Sequence, residues 1–236
     1  MTDDVDLEPL QRTLDRVAAA RTGTHEPAHD YLHVRRVVSN ARHIAETEGA
    51  DRFVVTAAAL LHELFNHPKG HPESHLSGEV CAVEACAVLR EAGCPSKYIE
   101  PICYAIRVHS FSRGIAPDTL EAKVLQDADR LDAIGAIGIA RCFATCAQMQ
   151  RPFYEPSDPF CRAREPNDKE FGLDHFYKKL LRVPQTLHTR TAQGLAAERI
   201  TFMNDYLEHL RRELSPHLDM PRPGANLARA HHAAEK

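Results

Sequence analysis

His33, the adjacent pair His62–Glu63, and Asp129 offer two imidazoles and two carboxylates from three separate stretches of chain. Glu63 and Asp129 interrupt the segments AALLHEL and LQDADRLDAIGAIGIA, which otherwise read as protein core. A charge in such a place needs a compensating partner. A divalent cation is one: imidazole nitrogen and carboxylate oxygen together suit Mn, Fe, Co, Ni or Zn, and four residues leave coordination positions open for water and substrate. Neighbours such as His62 and Glu63 point ~100° apart on a helix, so they meet at one ion only at a helix end where other helices converge. The spacing by itself leaves the alternative open, because a chain with 15 histidines brings some of them near carboxylates by chance.

The elements that must position these residues read as helices. Val34, Val37, Val38, Ala41, Ile44 and Ala45 form an i, i+3, i+4 stripe that begins beside His33 and closes near Gly49, with Arg35, Arg36, Arg42 and Glu46 off that face. Residues 53–64 are apolar nearly all round, as in a buried central helix ending on His62 and Glu63. Further stripes run over 80–89, 99–108, 120–147, 176–181 and 195–210. Strand-like alternation beside hairpin turns is not found. The expected fold is all-α, a single-domain helical bundle over 25–215, with an N-terminal helical segment 1–24 and a flexible tail 216–236. The proline-rich stretch RPFYEPSDPFCRAREPND reads as a long loop, a lid or pocket wall rather than a connector.

Bulk properties exclude several classes. The net charge of -4 argues against a surface for a nucleic-acid polymer, which needs a basic face. No window approaches the ~18 apolar residues of a membrane span. Seven cysteines without a Cys-x-x-Cys pair, with Cys81/Cys86 and Cys142/Cys146 at helical spacing, read as small core residues in a reducing cytoplasm rather than as a disulfide framework. The acidic N-terminus has no apolar core segment and does not read as a signal peptide.

The order His33, then His62 followed by an acidic residue, then Asp129 resembles the H…HD…D pattern of the HD-domain phosphohydrolases. The likeness extends through AHDYLHVRRV, AALLHEL, LQDADRLDAIGAIGIAR and LDHFYKKLLRVPQT, about residues 28–202, and is closest to a bacterial single-domain subgroup that includes nucleotide-hydrolysing members. The resemblance implies an all-helical core, a divalent metal (Mn, Mg, Co, Ni, Fe or Zn) held by His33, His62 and Asp129, and hydrolysis of phosphate bonds in a nucleotide or related small molecule. Glu63 stands where the family pattern has Asp, which keeps the charge but adds a methylene. Retained binding through Glu63, a changed metal preference and a disabled site are its three possible consequences, and the first is expected.

On this reading Glu63, Asp132 and His109 are the expected catalytic groups. Asp132 shares a helix face with Asp129 and would orient a ligand or accept a proton, whereas Asp127 points elsewhere and reads as structural. Lys69, Arg130 and Lys179 are the expected substrate-binding cations, with Lys178 competing with Lys179 and Arg130 able to pair instead with Asp127 or Asp132. His75 is a weaker candidate than His109 for the pocket, and His67 and His71 read as solvated. Gly135 and Gly138 read as small residues permitting close helix packing, since AIGAIGIA lacks the setting of a phosphate loop. Two competitors remain: a di-iron oxygenase, which would need His75 and His109 as ligands, and a catalytically impaired regulatory protein.

Overall fold

A computed structural model describes residues 6–22, 30–67, 71–110 and 114–218, and among them the regular structure is entirely helical. The helices are α1 (Glu8–Arg21), α2 (Tyr31–Glu48), α3 (Arg52–Leu61), α4 (Ser77–Glu91), α5 (Ser96–Val108), α6 (Leu120–Asp132), α7 (Gly135–Gln148), α8 (Asp174–Lys178) and α9 (Arg190–Leu218). Short 3-10 turns lie at Ser74–Leu76 and Leu180–Thr186. No helix among these residues is long and apolar enough to cross a membrane.

The helix ends follow from side chains that replace missing backbone partners. Asp30 caps α2 by accepting the His33 amide at 2.8 Å, and Gly49, at φ 80°, closes it. Asp51 caps α3 through the amides of Phe53 and Val54. Every residue from Phe53 to Leu61 is buried, because α3 is packed by α1, α2, α5 and α6. Each fully buried Val or Leu there contributes about 1.5–3 kcal/mol relative to exposure. The core helix therefore has little freedom to slide, and the residues at its end inherit a fixed position. Leu14 and Ala18 of α1 belong to the same core.

Four expectations are corrected. The stripe over 120–147 is two helices: α6 stops at Asp132, and α7 starts at Gly135, whose φ of +77° glycine adopts without strain. A Cβ on Gly138 would overlap the Ala133 carbonyl, so the missing side chain lets α7 fold tightly against the end of α6. The stripe over 176–181 is α8 followed by a 3-10 turn containing Pro184. Cys86 and Cys103 are not separate thiols but a disulfide joining α4 to α5, with Cα atoms 6.0 Å apart; helical spacing along one chain says nothing of a partner on the next helix.

The proline-rich stretch is a clasp rather than a lid. Arg164 and the Asn167 amide both bond the buried Asp174 carboxylate, Phe160 is buried, and Phe153 meets Phe143 of α7 edge-on at 5.1 Å. Cys142 of the same helix donates to the Gly172 carbonyl. The part of the expected tail that follows Leu218 lies outside the described residues, as does Lys69.

Candidate metal centre

His33 occupies the first turn of α2, His62 is the residue on which α3 stops, Glu63 follows it, and Asp129 projects from the last turns of α6. The three helices bring ligand atoms of His33, His62 and Asp129 within 4.8 Å of one another. The two Nε2 atoms face each other at 3.3 Å. Asp129 Oδ1 lies 3.5 Å from His33 Nε2, and Glu63 Oε1 lies 3.7 Å from His33 Nε2 and 3.9 Å from His62 Nε2. Because α3 ends at His62, the chain can turn Glu63 inward beside it.

The opposite ring nitrogens decide what those Nε2 atoms can do. His62 Nδ1 bonds the Ala59 carbonyl at 2.7 Å, and His33 Nδ1 bonds Asp132 Oδ2 at 2.7 Å. Both partners only accept, so each ring keeps its proton on Nδ1 and turns a lone pair inward. Both imidazoles are buried, and two lone pairs 3.3 Å apart repel unless something positive stands between them. Two ligands bound about 2.1 Å from one ion sit roughly 3.0–3.5 Å apart. The His33–His62 and His33–Asp129 spacings fit that geometry, with Glu63 a few tenths of an ångström farther out. Burial lowers His62 to about 4, against the opposing pull of Glu63, so the ring is neutral at pH 7. Burial raises the Asp129 carboxyl, but the facing His33, His62 and His109 rings outweigh it and hold it below the usual range.

Around this cluster each remaining candidate has a definite place. Asp132 is 2% exposed and sits behind His33, on the side away from Asp129. Its Oδ1 accepts Arg36 Nε at 2.6 Å, and its Oδ2 accepts Arg36 Nη2 at 3.0 Å and Arg141 Nη1 at 2.6 Å besides His33. Burial raises its carboxyl, but bonds from His33 and Arg36 more than reverse this and hold it well below the usual range. This environment suits orienting His33, not receiving a substrate proton. His109 caps α5, bonds the Ile106 carbonyl through Nδ1, and meets His62 edge-on at 5.4 Å.

Arg130 is engaged at a helix junction through one of its nitrogens. Its Nη1 bonds the Thr186 carbonyl and lies 3.2 Å from His188 Nε2, so it ties α6 to the chain entering α9. Asp127 works on the same junction, accepting the His188 and Thr189 amides and the Thr189 hydroxyl at the start of α9. Lys179 lies half-buried between α8 and the following 3-10 turn, where its charge acts on His175. His75 is exposed, with Nδ1 on the Pro72 carbonyl, and is not among the ligand set. Cys81, a buried thiol pushed up to about 12 by burial, donates to the His62 carbonyl and steadies the end of α3.

Arg36 and Arg141 are the site residues that sequence reasoning missed. Arg36 had a signal, one turn after His33 on the same helix; Arg141 had none, because its approach depends on the break between α6 and α7.

A model of the HD domain family matches residues 30–134. The protein YpgQ of Bacillus subtilis is 35% identical over 190 residues, covering 79% of this chain and 84% of YpgQ. The crystal structure of YpgQ in complex with ADP matches with a TM-score of 0.68 and 30% identity, over 88% of this chain and 96% of that one. An HD-superfamily hydrolase from Bacillus thuringiensis gives a TM-score of 0.68 at 28% identity, over 89% of this chain and 98% of its own.

Proposed function

This chain belongs to the HD-domain family, and from that premise we propose that it is a metal-dependent phosphohydrolase acting on a nucleotide or a related phosphorylated small molecule. The observation that carries the proposal is the buried pair of inward-facing Nε2 atoms, 3.3 Å apart and flanked by Asp129 and Glu63. His33, His62 and Asp129 would hold the ion, with Glu63 as an additional ligand. When bound, a divalent ion there polarises a phosphoryl oxygen and activates a water for attack at phosphorus.

The chain's own groups divide the remaining work. The Asp129 side chain is 27% exposed where that of His33 is 0%, so the open side of the site runs past Asp129, and the phosphate enters there. His109, anchored through Nδ1 on the Ile106 carbonyl, would exchange a proton at Nε2 with the leaving oxygen. Asp132 keeps His33 oriented. Lys179 and Lys69 are the proposed phosphate contacts, because positive side chains are needed to hold the phosphates and to offset the charge that develops in the transition state. ADP bound to YpgQ supports a nucleotide as the substrate class.

The test is a nucleotide panel assayed for phosphate and pyrophosphate release, with protein stripped by EDTA and then given Mn²⁺, Co²⁺ or Mg²⁺. Turnover should vanish on chelation and return with metal. Turnover that survives complete removal of metal would refute the mechanism. Metal binding without turnover of any nucleotide would favour the regulatory reading.

A further inference from the structure

We propose that Arg36 and Arg141 are positioning residues for the metal centre: by gripping Asp132 from two helices they fix the orientation and tautomer of His33. The inference rests on the reading of His33 as a ligand, but reaches residues that do not touch the ion.

The geometry is a relay of three layers. Asp129 and Asp132, one turn apart on α6, face opposite nitrogens of the same imidazole, with Asp129 Oδ1 3.5 Å from Nε2 and Asp132 Oδ2 2.7 Å from Nδ1. A carboxylate behind a ligating histidine orients it only if the carboxylate is itself held. Three guanidinium bonds hold this one: two from Arg36, a turn beyond His33 on α2, and one from Arg141 on α7. Arg36 forms a two-pronged grip that fixes the plane of the carboxylate. Arg141 Nη1 also bonds the Asp132 backbone carbonyl at 3.2 Å and lies 3.4 Å from His33 Nδ1, so it closes the sides of the relay.

Arg141 reaches this position because of the helix break. Gly135 turns the chain, and Gly138 brings α7 against the Ala133 carbonyl, which carries Arg141 back over Asp132. The small-residue run AIGAIGIA thereby gains a purpose beyond packing. Arg141 lies beyond residues 30–134, so the part of the chain that matches the family does not contain the whole relay.

The experiment uses the full chain in three forms: unchanged, Arg36→Met and Arg141→Met. In metal-free protein, ¹⁵N NMR of the histidine rings reads the His33 tautomer directly. The unchanged chain should show the Nδ1–H form, and each variant a mixture of forms. Mn²⁺ titration by calorimetry should show affinity roughly 10–100-fold weaker in each variant, the range seen when ligand-orienting partners are lost. Arg141→Lys, which keeps one donor and the charge, should recover part of that loss. If Arg141→Met does not fold, Arg36→Met decides alone, since it removes two of the three guanidinium bonds. Variants that keep the Nδ1–H form and bind Mn²⁺ within about twofold of the unchanged chain overturn the inference. That result leaves the phosphohydrolase reading untouched. Conversely, an unchanged chain that binds Mn²⁺ but hydrolyses no nucleotide refutes that reading and leaves this inference standing.

Discussion

His33, His62 and Asp129 in the core, and His67, His71 and Glu73 in the segment after α3, each bring two imidazoles and a carboxylate within 4.8 Å. In composition the two groups are alike. In the core group the rings are tilted by 58°, each Nδ1 is committed to an acceptor behind it, and the Nε2 lone pairs point at one another. In the other group the His67 and His71 rings lie 4.5 Å apart and only 4° from parallel, so their in-plane lone pairs run side by side and do not meet. His71 Nδ1 already accepts the Glu73 amide, and Glu73 is exposed. What makes the core set the better candidate for an ion is the atoms behind its side chains, not the side chains themselves.

The comparison is broken most severely at the ligands. His62→Ala or Asp129→Ala should lower turnover by more than ~100-fold, since loss of an orienting partner alone costs about 10–100-fold. Elemental analysis should find the metal gone and circular dichroism should find the helices intact. Asp132→Asn should weaken Mn²⁺ binding by roughly 10–100-fold in calorimetry, because the amide can no longer accept from every donor that surrounds it. Glu63→Asp shortens the side chain whose oxygen already stands farthest out, and should weaken the metal roughly fivefold. A gain in turnover would instead favour the impaired-enzyme reading.

The core group also predicts a pH effect. His62 is held to about 4 in the fold, against ~6.5 for an unfolded histidine. Between those values the unfolded chain binds more protons, so metal-free stability should fall as pH drops through this window. Calorimetric Tm values at pH 7.5 and 5 should show the decline, and His62→Gln should flatten it. The smallest effect belongs to the other group, where His71→Ala should leave Mn²⁺ affinity and stoichiometry within about twofold.

Much of this was legible in the sequence, and for definite reasons. The periodicity of Val34 to Ala45 and the all-round apolar run of α3 report burial directly, and His33, His62 and Asp129 lie on those elements. Asp127 was rightly separated from its neighbours by helical geometry, and it caps the start of α9. The break at Ala133–Ile134 was hidden because Gly135 and Gly138 sit among apolar residues that continue the helical stripe. Arg141 and the Cys86–Cys103 bridge were hidden for a related reason: each depends on where a second helix comes to rest. Arg130 looked like a phosphate contact because a charge beside Asp129 suggests chemistry, yet its Nη1 bonds the Thr186 carbonyl near α9.

Helix α6 carries Asp127, Asp129 and Asp132 to three places: the start of α9, the candidate ion site and the back of His33. One extra residue among them would swing whatever follows by ~100° about the helix axis. Length changes here should therefore be tolerated far less than point substitutions, and homologous chains should vary in spelling along this stretch but not in its count of residues.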